Sequence, residues 1–156
     1  MLSAYDFEVD GMYYNIVSAS DKTCSVTHGD EKYIGDVIIP EAVTYKGRTL
    51  SVVAIGRSAF SMCYELKSII IPNSVTEIDG FAFSSCSALK GITIPNSVTE
   101  IGSSAFASCT ALTTVKFPNS LTEISKSLFE NCSSLESITI PSSIKSVYWY
   151  AFSNCI

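Results

Sequence analysis

Hydrophobic residues recur along most of this chain with one fixed spacing. From Ile55 onward, phenylalanines, cysteines and prolines each return every 23 residues. The columns are Phe60, Phe83, Phe106, Phe129 and Phe152; Cys63, Cys86, Cys109, Cys132 and Cys155; and Pro72, Pro95, Pro118 and Pro141. A fixed period of about 20–29 residues predicts coils that stack along one axis, each contacting only its neighbours.

The pattern inside one coil predicts its local structure. Leu66, Ile69 and Ile71 follow an LxxLxL pattern, with a strand at the last two, and a proline then ends the strand because it lacks an N–H donor. Val75 and Ile78 mark an extended segment. The SAFxxC segment places Phe and Cys three residues apart, on one face of a helical turn. We therefore expect an α/β solenoid, a leucine-rich-repeat stack of strand, bend, extended segment and short helix.

Residues 1–50 differ from the rest, because they alternate apolar and polar side chains like short strands. Asp10-Gly11 and Lys46-Gly47 are hairpin turn signals. The segment 37–40 resembles the strand and proline of the later coils. We expect an N-terminal β-hairpin cap and degenerate first turn over 1–50 and repeats over 51–156. We expect the last turn to be incomplete and 1–156 to form a single leucine-rich-repeat domain.

Composition and net charge argue against some classes of function. Hydrophobic residues make up 47% and charged residues 16% of the chain, and the net charge is −5. A phosphate-backbone partner favours a basic surface, so a nucleic-acid partner is not expected. No apolar run reaches the roughly 18 residues of a membrane span. The first residues lack the features of a signal peptide, so the protein is either cytoplasmic or a form without its leader.

Few side chains are candidates for a catalytic or metal-binding role. The cysteine column predicts buried free thiols, with Cys24 outside it as the one reactive thiol. His28 lies in a polar loop with no nucleophile placed beside it. Glu77, Glu100 and Glu123 form an acidic stripe, which supplies too few oxygens for calcium. We expect no catalytic site, no cofactor and no metal.

The complete repeat, LxxIxIPxSVxxIgxxAFxxC, resembles the BspA-like leucine-rich-repeat family, and GMYYNI with YIGDVIIPEAV resembles that family's N-terminal cap. The resemblance implies a bacterial surface or secreted protein that adheres to host matrix proteins or to other cells through a protein or glycan ligand. One departure is a serine column at the usual Asn/Cys ladder position, where we expect bonds to backbone groups of the bend. Its members are Ser74, Ser97, Ser120 and Ser143. Three of the prolines are followed by an asparagine, whose side chain we expect to form bonds within the bend: Asn73, Asn96 and Asn119.

The outward positions of the predicted strands are small and hydroxylated, with Lys67, Lys90, Ile70 and Lys116 as the candidate interaction residues. They include none of the Trp, Tyr or Arg anchors that dominate tight interfaces. Two functions remain open. The domain is a recognition and adhesion module, or it is a structural spacer or self-assembling repeat without a dedicated ligand.

The last coil carries an aromatic trio, Tyr148-Trp149-Tyr150, where earlier coils have mostly small or polar residues. Exposed aromatics with polar tips often anchor interfaces, and terminal repeats often cover an open apolar end. The trio therefore either folds over the unfinished turn or contacts another chain or further residues. We favour the contact, which predicts self-association through the C-terminal end.

Overall fold

The computed structural model describes residues 4–155, and its regular elements are all strands. The first six are β1 (Phe7–Val9), β2 (Met12–Ser18), β3 (Thr23–Thr27), β4 (Gly35–Ile38), β5 (Ala42–Tyr45) and β6 (Arg48–Ile55). The others are β7 (Leu66–Ile70), β8 (Glu77–Ile78), β9 (Gly91–Thr93), β10 (Glu100–Ile101), β11 (Thr114–Lys116), β12 (Glu123–Ile124) and β13 (Ser146–Val147). Within this part of the chain no helix is long and apolar enough to cross a membrane.

Parallel strand pairs join each coil to the next at the predicted step. Ile92 of β9 pairs with Val115 of β11, and Glu77 of β8 pairs with Glu100 of β10. On the same side as β8 and β10, β12 pairs with β13. The 23-residue leucine-rich repeat is thus the structural unit, and its strands lie on two sides of each coil.

The predicted short helix is wrong for every coil, because residues 4–155 contain no helix. The third side of each coil is a run of turns. Along it, successive backbone N–H groups bond alternately within their own coil and to the next coil. In the first such run, the Ala59 N–H bonds to Gly56 O within the coil, while the Phe60 N–H bonds to Ala82 O of the next coil. Helical bonds cannot form because every second N–H is used between coils.

Backbone dihedrals also exclude the helix. Two residues in each coil have φ near +60°, in the left-handed region that interrupts a right-handed helix. These are Ser58, Phe81, Ser104, Ser127 and Tyr150, and then Met62, Ser85, Ser108, Asn131 and Asn154. Phe and Cys of the SAFxxC segment nevertheless both face the core, as Phe106 and Cys109 do. The inward spacing was predicted correctly although the backbone conformation was not.

The two predicted N-terminal hairpins are confirmed. Val9 pairs with Met12 across Asp10-Gly11, and Tyr45 pairs with Arg48 across Lys46-Gly47. All four turn residues have positive φ, as a type I′ turn requires. β4 pairs in parallel with β7. β3 pairs in parallel with β6 and connects the N-terminal strands to the stack.

The last coil departs from the pattern, because its predicted strand around Ile138 and Ile140 is not formed. Ile140 and Val147 are exposed, whereas the equivalent Ile94 and Ile101 are buried. A strand in this coil has a neighbour on one side only, so it gains fewer hydrogen bonds and less apolar burial than the strands before it.

An aromatic column runs through the core. The rings of Phe60, Phe83, Phe106, Phe129 and Phe152 stack with centroids 5.1–5.7 Å apart and interplanar angles of 2–9°. Tyr33 extends the column at the N-terminal end, 4.6 Å from Phe60. Its hydroxyl donates to Thr27 O at 2.8 Å and accepts the Tyr13 N–H at 3.0 Å. This buried hydroxyl ties the loop before β4 to the first hairpin.

Candidate functional site

A groove of about 790 Å³ lies on the face formed by β7, β9 and β11. Outward side chains of successive coils form its floor in register, with Thr93 beside Lys116 and Gly91 beside Thr114. The Thr114 hydroxyl lies against Gly91, because a Cβ at this glycine would be only 2.6 Å from Thr114 Oγ1. The repeat therefore produces one groove that is lined by residues of three successive coils.

The structure brings together two of the four strand-face candidates. Ile70 and Lys116 line the groove, whereas Lys67 and Lys90 are exposed but are not among its lining residues. Ile70 is 59% exposed and lies beside Ile38 of β4, which is 68% exposed. One end of the face therefore presents two exposed isoleucines, and the other end presents Thr93 and Lys116.

Sequence reasoning missed the asparagine row on the groove. Asn73, Asn96 and Asn119 follow three of the column prolines, and all three are exposed and line the groove. The Asn119 N–H donates to Asn96 Oδ1 at 3.1 Å, so the amides connect successive coils. Their 23-residue spacing was visible in the sequence. That spacing alone predicted bonds within the bend and did not indicate which face the side chains share.

The aromatic trio lies far along the chain from these groove residues, in the last coil. Trp149 is 77% and Tyr150 is 62% exposed. The Tyr148 hydroxyl donates a long 3.5 Å hydrogen bond to Glu123 of the preceding coil. The trio thus offers exposed aromatic area, and its role in an interface stays a prediction.

The cysteine column lies in the core and is reduced. Four of the five column thiols, from Cys86 onward, donate to the Phe carbonyl of the preceding coil at 3.1–3.2 Å, as Cys109 does to Phe83 O. Burial raises the pKa of the Cys132 thiol to about 12, and the neighbouring Cys109 raises it further.

Cys24, predicted to be the reactive thiol, is fully buried, and burial raises its pKa to about 11. Cys155, which is only half-buried, is the more accessible thiol.

The serine column is only partly bonded. Ser120 Oγ donates to Val98 O at 2.5 Å. Ser74, Ser97 and Ser143 have buried hydroxyls without a partner within residues 4–155. The expected bonding to the bend is therefore found at one position. The departure from the usual Asn leaves the remaining hydroxyls unsatisfied.

The acidic stripe and His28 form no metal or catalytic cluster within the described part of the chain. Glu77 and Glu100 are directly paired across β8 and β10, and burial followed by repulsion from Glu100 and Asp79 raises the pKa of Glu77. No group of three or more His, Cys, Asp or Glu side chains that could hold a metal occurs among residues 4–155. The groove is therefore the feature best suited to bind a ligand.

Comparison with known proteins places this architecture among bacterial repeat proteins. The family model for the BspA type leucine rich repeat region matches residues 34–156 in six copies. Proteins with this type of repeat are generally non-enzymatic and commonly bind other proteins. Among curated proteins, none matches the chain.

Three solved structures are similar over nearly the whole chain. A leucine-rich repeat protein of Bacteroides ovatus is 32% identical, with a TM-score of 0.53, over 96% of this chain and 51% of its own. A leucine rich cell surface protein of Faecalibacterium prausnitzii is 27% identical, with a TM-score of 0.70, over 94% and 45%. The pneumococcal vaccine antigen PcpA shares the fold at 20% identity, with a TM-score of 0.72, over 96% and 47%. The chain spans about half the length of each.

Proposed function

Because the chain belongs to the BspA-type leucine-rich repeat family, we propose that it is a non-enzymatic recognition module of a bacterial cell-surface or secreted protein. Surface location is supported by the similarity to the cell surface protein of Faecalibacterium prausnitzii. The observation that carries the proposal is the groove of about 790 Å³ across β7, β9 and β11.

The groove chemistry favours a protein ligand in an extended conformation. Asn73, Asn96 and Asn119 present amide donors and acceptors in a row, which matches the repeating N–H and C=O groups of a peptide backbone. Ile38 and Ile70 offer apolar contact for a side chain at one end. Lys116, with no acidic residue among the groove-lining residues, favours an acidic side chain at the other end. A glycan ligand is the alternative that the experiment separates.

Adhesion to host matrix or to other cells is the biological role proposed for this binding. Individual contacts in an open groove are weak, because water competes for each amide and lysine. Several copies on one cell surface would raise the total strength through multivalent attachment. We therefore expect weak binding by the isolated domain and stronger binding by an array of domains.

The test uses two matched threonine variants. Thr93→Arg fills the groove from its floor, and Thr122→Arg adds the same side chain at another exposed threonine that is not among the groove-lining residues. Binding of the wild type and both variants would be measured on immobilised collagen, fibronectin and laminin and on a glycan array. The proposal predicts binding to a protein that is lost in Thr93→Arg and kept in Thr122→Arg.

Two results would contradict it. Glycan binding alone, with the same dependence on Thr93, would keep the groove and replace the ligand class. Binding equal in all three proteins, or no binding even by domains arrayed on beads, would favour the structural spacer.

A further inference from the structure

The N-terminal sheet curves around an apolar face of its own. Three strands, β2, β3 and β6, separate β1 from β5 in this sheet, yet the Phe7 ring of β1 stacks on the Tyr45 ring of β5 with centroids 4.3 Å apart. The sheet therefore bends so far that β1 and β5 meet. Strand pairing places further buried side chains on the same face: Tyr14, Cys24, Leu50 and Val52.

A pocket of about 300 Å³ lies where this face opens to solvent. Ile16 shares the face with its strand partner Cys24, but Ile16 is 43% exposed whereas Cys24 is fully buried. The buried Leu50 and the partly buried Tyr45 also line the pocket, together with Ala19. The pocket thus has apolar walls, and an apolar group that enters it would gain burial for itself and for Ile16.

Three cationic side chains complete the lining, and no acidic residue among 4–155 belongs to it. Lys22 precedes β3, and Lys46 and Arg48 belong to the hairpin of β5 and β6, so two separate turns contribute to one pocket. The chain as a whole has 15 acidic and 10 basic residues. A pocket with only basic charges on an acidic protein therefore favours an anion.

Two aspartates adjacent to pocket residues already have hydrogen-bond partners. The Asp6 carboxylate accepts the Ile16 N–H at 2.8 Å, and the Asp21 carboxylate accepts the Ser18 hydroxyl at 2.8 Å. Neither aspartate forms part of the lining. The three cations of the pocket are therefore free to meet an anion from solution.

Lys46 is also an unusual residue for its turn. It occupies the first central position of the Lys46-Gly47 turn with a φ of 48°, where type I′ turns favour Asn, Asp or Gly. The other hairpin of the sheet has Asp10 at this position, with a φ of 51°. Turn geometry therefore does not account for the lysine, whose Nζ lies 4.9 Å from the centroid of the Tyr45 ring.

We propose that this basic pocket, formed by Ile16, Lys22, Tyr45, Lys46, Arg48 and Leu50, binds a small organic acid in which a carboxylate is attached to an apolar body. The carboxylate would pair with Arg48 and the two lysines, since a guanidinium matches a carboxylate with two parallel hydrogen bonds. The apolar body would cover Ile16 and Leu50. Exposed ion pairs alone are weak in water, so both parts of the ligand are needed. The strand-face groove plays no part in this site.

The test compares three small probes on the full chain by NMR titration, followed at the backbone amides of the basic pocket. Octanoate carries both parts of the ligand, acetate carries only the carboxylate, and octanamide carries the apolar tail with a neutral head. We expect octanoate to bind at least about tenfold more tightly than either of the others, because each of them lacks one of the two contacts. This comparison needs no variant, so it does not depend on how a substituted protein folds.

Two matched pairs of variants locate the binding. Ile16→Thr removes apolar surface inside the pocket, and Val17→Thr makes a similar change at the next residue of β2, which is 57% exposed and outside the lining. Lys46→Glu reverses a charge at the pocket, and Lys90→Glu makes the same change in net charge at an exposed lysine elsewhere. We expect octanoate affinity to fall at least about threefold in Ile16→Thr and Lys46→Glu and to stay within about 1.5-fold in the two controls.

Equal affinity for octanoate and octanamide, or no saturable shift at the pocket amides, would overturn the proposal. Equal losses in Lys46→Glu and Lys90→Glu would also overturn it, because they would reflect a general effect of net charge. Thr93→Arg, which fills the strand-face groove, should leave octanoate binding unchanged. Loss of octanoate binding in that variant would place the site in the groove and contradict the assignment to the basic pocket.

Discussion

The two ends of the stack both carry a phenylalanine of the repeat, but the two rings differ in how far they are buried. At the N-terminal end, the ring of Tyr33 covers Phe60, which is fully buried. At the C-terminal end, Phe152 is only partly buried and the strand of the last coil is not formed. The comparison shows that a coil's structure depends on its neighbours as much as on its own sequence, as expected for a one-dimensional stack.

The comparison is tested most strongly by removing equivalent rings. Phe106→Ala should destabilise the protein by about 3–5 kcal/mol, because the ring is fully buried between Phe83 and Phe129. Phe152→Ala should cost clearly less, because its ring has a stacking neighbour on one side only. Urea unfolding of both variants measures the difference. Equal losses would contradict the asymmetry between the middle and the end of the stack.

The Tyr33 hydroxyl anchors the loop whose ring covers Phe60 at the N-terminal end. Tyr33→Phe keeps the ring but leaves the buried Tyr13 N–H and Thr27 O without their partner. Leaving buried polar groups unpaired costs about 1–3 kcal/mol, so a loss in that range is expected in urea unfolding. Tyr64→Phe, at an exposed tyrosine, is the control and should be neutral. A neutral Tyr33→Phe would show that this loop contributes little to closing the stack.

The same asymmetry should appear in thiol reactivity. Thiol reagents attack the thiolate, and burial raises the pKa of the Cys132 thiol to about 12. Cys155 at the open end is only half-buried, so it should react first with a thiol reagent in the native protein. The buried column cysteines should react only after unfolding. In Cys155→Ser the fast phase should vanish; a fast phase that persists would place the accessible thiol elsewhere.

The smallest effect on stability is expected at Trp149. Its side chain is 77% exposed, so Trp149→Ser should change the free energy of unfolding by less than about 0.5 kcal/mol. A clear drop in melting temperature with unchanged mass would instead mean that the trio covers the end of the stack. If the trio joins two chains, the variant should become more monomeric in sedimentation.

The repeat, the hairpins and the inward columns were predictable from the sequence because each rests on spacing. Phe106 and Cys109 face the core as their three-residue separation indicated, and Asp10-Gly11 forms the expected turn. The absence of the short helix could not be predicted from the sequence. The same separation fits a helix, and only the hydrogen bonds to the next coil decide the backbone conformation.

The groove was predicted only in part for a similar reason. Ile70 and Lys116 were identified because they point outward from a strand. Asn96 was assigned to the bend, and Gly91 carried no signal by itself, because a groove arises from side chains of separate coils. Tyr33 was also missed, because its distance from Phe60 along the chain does not match the repeat. Its place in the aromatic column depends on the loop before β4.

Amide hydrogen exchange along the phenylalanine column measures directly how the C-terminal end of the stack differs from its middle. The amides of Phe60, Phe83, Phe106 and Phe129 each donate to the next coil, whereas the Phe152 amide has no acceptor among residues 4–155. We expect slow exchange at the first four amides and fast exchange at the Phe152 amide in the monomer. Protection of Phe152 equal to that of Phe129 in the monomer would contradict an open C-terminal end.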